Sequence, residues 1–556
     1  GLWGRDGMVL PTHTPEEPDF CVNRGDFIGK ILFPAVRLKT ASSKSRGRLE
    51  ELFPDEKGAP GGFSVMVRRA LSSDADFGAI MIRLPFNPLK SATMTLKSEI
   101  LAKFVVETTF ESIPTDMVEK AKRHILDSVG AGIAGARSVE VARLMATLDM
   151  AGEGSGRAVL WGDDRRRTPL VAALVNGTAA HAFELDDTGG CDHSGAVVVP
   201  AVFAALTLVD RVITGKELIT AVLLGYDVAR RALEACGAYE PHNAAGFHST
   251  GTCGPFGAAA AAGRILGLNV EQMTMALGLA SSFSAGLWAC VHNGAQNKRL
   301  HAGHAAQGGL MSALLAKNGF TGPDQIFEEV WGGFNKSFAP TSSVPEAWTA
   351  DLGHPWKLHR VSIKPHASCR STHSSIDAVH DMMRDFHFTA DDIEEIEVVI
   401  NPFVYGMCGA YDRNPMNAAQ LSIPYSVAAF LVFGTAQLPS FSRTSREDPR
   451  IEPMMKRIKM TVDDTQKDDD EPIVRVTLKD RRLFSLRVPM PLGAPTNPVS
   501  DEALLQKFRS VSTMSLSADT VDRLAELFLT LEDVDDASVF LPLLGDTPVT
   551  RGTFDA

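Results

Sequence analysis

Four polar clusters interrupt segments that are otherwise apolar. The first lies in HAFELDDTGGCDHSGAVVVP (residues 181–200) and carries Glu184, Asp186, Asp187, Thr188, Asp192 and His193. The second is His248 in AAGFHSTGTCGPFG. The third, NGAQNKRLHAGHAAQGG, brings Lys298, Arg299, His301 and His304, and the fourth, SIKPHASCRSTHSSID, brings Lys364, His366, Cys369, Arg370 and His373. Ionisable groups among buried helices are costly unless paired, and they gather at sites. The residue types point to acid/base chemistry in a cationic pocket. Lys298, Arg299, Lys364 and Arg370 suit a substrate with more than one carboxylate, because arginine binds a carboxylate at two points and lysine adds a compact charge. The same cations stabilise charge that builds when a proton leaves a carbon beside a carboxylate. Histidine is the proton carrier suited to neutral pH.

Each cluster taken singly has a structural explanation. Asp186 or Asp187 fits a helix cap, and Asp192–His193–Ser194 fits a turn. Lys298 and Arg299 fit a helix start facing water. Four clusters at the edges of Gly/Ala-rich helices shift the balance towards a site. His124, His359, His380 and His387 are read as hydrogen-bonded structural groups. No HExxH occurs, and His301 and His304 lack an acid at matching spacing, so no metal is expected. No Walker loop occurs, and the Gly-rich stretches lack a strand–GxGxxG–helix setting. Cys369 has His and Arg neighbours, yet a small buried cysteine is the preferred reading over a nucleophile.

The elements that must position these residues are mostly helices. IPTDMVEKAKRHILDSVGAGIAG repeats Val118, Ala121, Ile125 and Val129 at helical spacing. From 168 to 320 the chain is small-residue helix, rich in Ala and Gly, which allows close packing. SFAPTSSVPEAWTADLGHPWK reads as a linker or long loop, and THSSIDAVHDMMRDF as a helix. DIEEIEVVI and EPIVRVTLKDRRLFSLRVP alternate as strands, the second as a hairpin around Lys479–Asp480. The acid run DDTQKDDDE (463–471) predicts a solvated loop. TVDRLAELFLTLEDV returns to helix, with Val521, Leu524, Phe528 and Leu531 on one face.

A chain of 556 residues exceeds one core and predicts two folded units plus extensions. The net charge of -12 argues against a nucleic-acid or anionic-membrane partner, while leaving room for a local cationic pocket. Seven scattered cysteines without a CxxC pair fit a reduced, intracellular protein. No apolar run reaches the ~18 residues of a membrane helix. Residues 1–94 mix Pro, Gly and charge and form an extension of unknown role. Their acidic content and lack of an apolar signal region predict a cytoplasmic rather than mitochondrial or secreted protein.

Six stretches together carry a resemblance: VAALVNGTAAHAFELDDT, HSGAVVVPA, GFHSTGTCGPFGAAAAAGRILGL, NKRLHAGHAAQGGLMSALLAKNGFTGP, IKPHASCRSTHSSIDA and AAQLSIPYSVA. From about 96 to 545 the chain resembles the MmgE/PrpD family, which includes 2-methylcitrate dehydratase, cis-aconitate decarboxylase and an iminodisuccinate epimerase. It looks most similar to fungal decarboxylase-like members. The resemblance implies a mainly α fold: a large helical domain (95–350) completed by C-terminal helices (501–545), an inserted α/β lid (351–500) and a tail (546–556). It implies a homodimer without metal or other cofactor. It places His193, His248 and Lys298 as catalytic groups. Glu184, Asp187, Thr188, His301, Lys364, Cys369 and Arg370 are then substrate-binding. Cys369 stands five residues after the lid-side Lys364, where animal-type decarboxylases have histidine. Tyr405 and Tyr411 are both candidates for the family's pocket tyrosine. The activity implied is a lyase acting on a citrate- or aconitate-like polycarboxylate, by loss of water or carbon dioxide. An epimerase of an amino- or imino-dicarboxylate and a non-catalytic binding or scaffold protein are the alternatives.

Overall fold

The computed structural model describes residues 95–467, 469–546 and 552–554. The expected 1–94 extension and most of the tail lie outside these residues. The chain is mainly α-helical, with two small sheets.

The larger core is built from α1 (Lys97–Glu107), α2 (Thr115–Gly135), α4 (Pro169–Ala180), α5 (Gly195–Leu206), α6 (Gly215–Ala235), α7 (Tyr239–Ala244), α8 (Ser249–Leu266), α9 (Val270–Ala280) and α10 (Asn297–Lys317), while α3 (Val139–Met150) packs on the other face of α4 in a small satellite cluster. Helix α8 sits at the centre, packed against α5, α6, α9 and α10. Its run of alanines is fully buried, because only small side chains let four neighbours close on one helix. One close approach sets the site. A Cβ added at Gly177 of α4 would meet the Gly303 Cα of α10 at 2.8 Å, and one at Gly303 would collide with the Leu174 carbonyl. The backbones of α4 and α10 therefore touch, which brings the end of α4 beside the start of α10.

Between α3 and α4 a hairpin forms from β1 (Ala158–Leu160) and β2 (Asp163–Arg167). The sequence reading did not include it. DDRRR has little strand propensity; its pairing with the buried Ala158–Leu160 segment decides the conformation. The expected linker after 337 is irregular but firmly packed. Trp348 is fully buried, stacks on Phe327 at 3.7 Å and donates to Asn335.

The second core belongs to an α/β unit: α11 (His373–Phe386), β3 (Ile393–Ile400), α12 (Pro402–Cys408), α13 (Met416–Gln420), α14 (Ile423–Phe433), β4 (Ile458–Val462), β5 (Ile473–Leu478) and β6 (Leu483–Arg487). The strand order is β4-β3-β5-β6, with β3 parallel to β4 and antiparallel to β5. The β5–β6 hairpin turns at 479–482, as the alternation predicts. Ile376, Val379 and Met382 of α11 join Val474, Val476 and Leu478 in this core. Trp356, Leu358, Val361 and Ile363 pack instead in the larger core. The chain then returns to the larger core through α15 (Asp501–Ser512) and α16 (Ala518–Leu529), where Phe508, Val521, Leu524 and Phe528 are buried. Among the described residues no helix is long and apolar enough to cross a membrane.

Candidate active site

The stretch between α4 and α5 is irregular because its backbone takes positive φ three times, at Glu184, Gly189 and Asp192. Glu184 has φ 53° and Asp192 φ 86°, which L-residues adopt at a cost of about 1 kcal/mol or more each. Glu184 is held there by charge, and Asp192 by the Thr188 hydroxyl and the neighbouring imidazoles. The fully buried Glu184 carboxylate accepts from Lys298 Nζ at 2.5 Å, from the Arg299 guanidinium and from Lys364 Nζ at 3.2 Å. Burial pushes this carboxyl up, but Lys298, Arg299 and Lys364 hold it well below the usual carboxylate range. Lys298 and Arg299 lie in the first turn of α10, the positive end of the helix dipole, so Glu184 offsets an otherwise unfavourable placement. Arg299 is fixed further by Asn417 and Gln420 of α13 at 3.1 Å each. Gln420 also donates to the Phe183 and Ala367 carbonyls, tying the α4–α5 loop to the segment that carries Lys364 and Cys369.

The histidines form a layer beside this ion cluster. His193 Nδ1 lies 2.9 Å from the Asp187 carbonyl and 3.1 Å from the Asp186 carboxylate, while Nε2 lies 3.5 Å from Asp192. Burial works against protonation, but Asp192 and Asp186 raise the imidazole above its ordinary value. His248, at the N-cap of α8, points Nδ1 at His301 Nδ1 (2.9 Å). Its Nε2 lies 3.7 Å from Asp192 and makes no hydrogen bond. Burial, with Lys298 and His301, brings His248 down to about 3, so it is neutral at pH 7. Burial also pushes His301 down, to about 4. Asp192 thus stands between one imidazole biased towards its charged form and one biased towards its neutral form. Environments that push paired groups apart in this way are characteristic of acid/base sites.

A cavity of about 510 Å³ opens over this layer. Glu184, Thr188, Asp192 and His193 line it from the α4–α5 loop, and Lys298 from α10. Cys369, Arg370 and Ser371 face it from the α/β unit, and a 490–496 loop closes one side. Thr188 also pairs through its backbone with Ser362 and donates Oγ1 to Asp192 at 3.1 Å. Lys364 is buried beneath the wall and reaches Glu184 rather than the cavity surface. His248 and His301 lie one layer behind the wall.

Asp187 departs from its expected place. It is fully buried and accepts from Tyr226 Oη (2.5 Å) and the Gly195 N–H (3.0 Å), with His124 Nδ1 at 3.0 Å. Its carboxylate anchors the start of α5 and faces α2 and α6, away from the cavity. Alternating backbone direction sends Asp186 to the histidines and Asp187 to the far side. Tyr405 and Tyr411 are about half exposed, and neither lines the cavity; Tyr239 does. His359, read as structural from the sequence, lines the cavity together with Arg360. Arg230, whose Nη1 donates to the Gly190 carbonyl at 3.2 Å, is a further wall residue the sequence reading missed. Two adjacent arginines inside the apolar helix ELITAVLLGYDVARRALEA were the available signal. His181 was missed as well: its Nδ1 meets Asp186 at 3.0 Å and its Nε2 meets Lys298 Nζ at 2.9 Å. Arg370 donates to Glu471 at 2.6 Å, so the acid run is partly structural rather than wholly solvated. The Cys408 thiol hydrogen-bonds Cys369 and draws it below the ordinary thiol range, against the effect of burial.

Two family models match the chain: the MmgE/PrpD N-terminal domain over residues 99–345 and the MmgE/PrpD C-terminal domain over residues 366–533. The chain belongs to the MmgE/PrpD family. Among curated MmgE/PrpD relatives, it is 28% identical over 470 residues to the cis-aconitate decarboxylase-like protein oryM of Aspergillus oryzae, covering 80% of this chain and 96% of that protein. It is 27% identical over 483 residues to a cis-aconitate decarboxylase of Aspergillus terreus (82% and 98%). A mouse cis-aconitate decarboxylase is 29% identical over 471 residues (81% and 94%). The MmgE/PrpD motifs run through all three walls of the cavity: the α4–α5 loop, the start of α10 and the Lys364–Arg370 segment.

Proposed function

We propose that this protein is a lyase acting on a citrate- or aconitate-like polycarboxylate, and that the bond it breaks joins carbon to carboxylate. The observation that carries the reading is His193: an imidazole on the cavity wall, flanked by Asp186 and Asp192, beside the Lys298 ammonium. Decarboxylation leaves an electron pair on carbon, and a proton must be delivered to it. A histidine biased towards its charged form is suited to that delivery. The names of the MmgE/PrpD relatives support the same reading.

In this reading Lys298 binds one carboxylate, and Arg230, Arg360 and Arg370 offer partners for the others. The carbon–carbon bond breaks, carbon dioxide leaves, and the electron pair is taken up by the unsaturated, carboxylate-bearing fragment. Lys298 stabilises that charge. His193 gives its proton to the carbon and is reprotonated from solvent through the open cavity. His248 stays neutral and, with Asp192, holds His193 in place. Glu184 orients Lys298, and Lys364 balances Glu184.

The test is incubation with cis-aconitate, citrate and 2-methylcitrate, followed by mass analysis. The expected result is loss of carbon dioxide from cis-aconitate, with the other two unchanged. Loss of water from citrate or 2-methylcitrate, with cis-aconitate untouched, would overturn the decarboxylase reading in favour of a dehydratase. Tight binding of all three without turnover would identify a binding protein.

A further inference from the structure

We propose that His181, His193 and His248 form a binding site for a divalent transition-metal ion of the zinc type, and that the ion competes there with the Lys298 ammonium. The three rings each offer one nitrogen, and the three nitrogens lie within 4.8 Å of one another. Zinc–nitrogen bonds of about 2.0–2.1 Å in a tetrahedral site put ligand atoms roughly 3.4 Å apart, so closure needs movements of about 1 Å. The ring centroids are already 4.2, 5.9 and 5.9 Å apart.

The orientation of the rings fits metal binding. Histidines that bind a metal through one nitrogen engage a carboxylate, carbonyl or similar group with the other. Here every Nδ1 is so engaged. His181 meets Asp186 at 3.0 Å, His193 meets the Asp187 carbonyl at 2.9 Å and Asp186 at 3.1 Å, and His248 meets His301 at 2.9 Å. That leaves Nε2 of each ring as the ligand atom to offer, although the His181 Nε2 also meets Lys298 Nζ at 2.9 Å. The His248 Nε2 is fully buried without a hydrogen-bond partner. Such an atom is costly unless something binds it. Asp192 stands 3.5 Å from the His193 Nε2 and 3.7 Å from the His248 Nε2, in position to supply a fourth, anionic ligand.

A second grouping, His181 with Glu184 and Asp186, is less suited. Glu184 already serves three cations. The Lys298 ammonium, 2.9 Å from His181 Nε2, occupies part of the first grouping. It keeps Glu184 at 2.5 Å when it yields His181. Occupation by the ion therefore moves Lys298 without stranding it. Because Lys298 lines the substrate cavity, the ion would oppose turnover, a consequence that rests on the proposed function; the binding itself does not.

Chelator-treated full-length protein titrated with Zn²⁺ and Co²⁺, without substrate, tests the site. One ion per chain is expected, and Co²⁺ should give the visible bands of a four-coordinate nitrogen/oxygen site. H181A and H248A should each weaken binding by more than about tenfold, and D186N by roughly tenfold or more through the lost support of two rings. H304A, which lies outside the trio, should bind normally. Three results would each overturn the proposal: no bound ion, binding unchanged in both H181A and H248A, or a sulfur-to-cobalt charge-transfer band placing the ion on a thiol. The wild-type cobalt spectrum decides the matter even if a variant fails to fold. Binding without any lyase turnover would leave the site intact and remove only the functional reading.

Discussion

Two acid-rich loops of this protein have opposite fates. In 184–192, Glu184, Asp186, Asp187 and Asp192 are all buried. In 463–471, Asp464 and Asp469 are exposed, Asp463 and Asp470 accept from backbone N–H groups of their own loop, and Glu471 is drawn into a close partnership with Arg370 and Ser374. The difference lies in what flanks them. The first loop joins two helices buried along most of their length, α4 and α5, so its carboxylates have little water to face and must find protein partners. The second joins two strands of a small sheet, and most of it is exposed to solvent. An acidic run becomes a site when its neighbours deny it water.

The comparison can be sharpened by substitution. The largest effect expected is on turnover: H193A should lower kcat for the decarboxylated acid by about 10²–10⁴-fold, with an unchanged circular dichroism spectrum. A variant that keeps its rate would remove His193 from the chemistry. Next, E184Q leaves Lys298, Arg299 and Lys364 buried around a neutral amide. Removing one partner of a buried ion cluster costs about 3–5 kcal/mol, which denaturant unfolding would read as a lower midpoint with an unchanged slope. D187A should cost less, about 1–3 kcal/mol, through the unsatisfied Tyr226 hydroxyl and Gly195 N–H. Its KM should change little, since Asp187 faces away from the cavity.

The pH dependence is smaller and has a definite sign. His193 is raised by Asp192 and Asp186, so a reaction needing its proton runs below the raised value and falls as pH rises through it. D192N removes part of the raising charge, so the falling limb of kcat should move to lower pH; a shift to higher pH would contradict the role given to Asp192. The smallest effect closes the comparison. D464N, in the exposed loop, should leave both turnover and the unfolding midpoint where they are.

The sequence carried the fold class well, because its signals are local. Alanine and glycine runs define α8 and α10, and alternation defines β3, β5 and β6. The site was legible as residue types: the cavity brings together Glu184, Thr188, His193, Lys298, Cys369 and Arg370. What was not legible is which way each residue faces. Asp186 and Asp187 are adjacent, yet one meets His181 and His193 and the other Tyr226 and His124. His248 and Lys364 were expected at the surface of the cavity and lie just beneath it. Arg230, Tyr239 and His359 come from elements distant in sequence, and only packing brings them to the wall. The histidine trio carries no metal-site spacing for the same reason: residues 181, 193 and 248 share no local pattern.

The contact between Gly177 and Gly303 has one more consequence. It is backbone against backbone, with no side chain in between to absorb a change. The end of α4 carries His181 towards Glu184, and the start of α10 carries Lys298, so the charged floor of the cavity behaves as a single casting. Adaptation to a longer or shorter acid then falls to the opposite wall, at 359–371 and 490–496, where irregular backbone leaves length and shape open to revision.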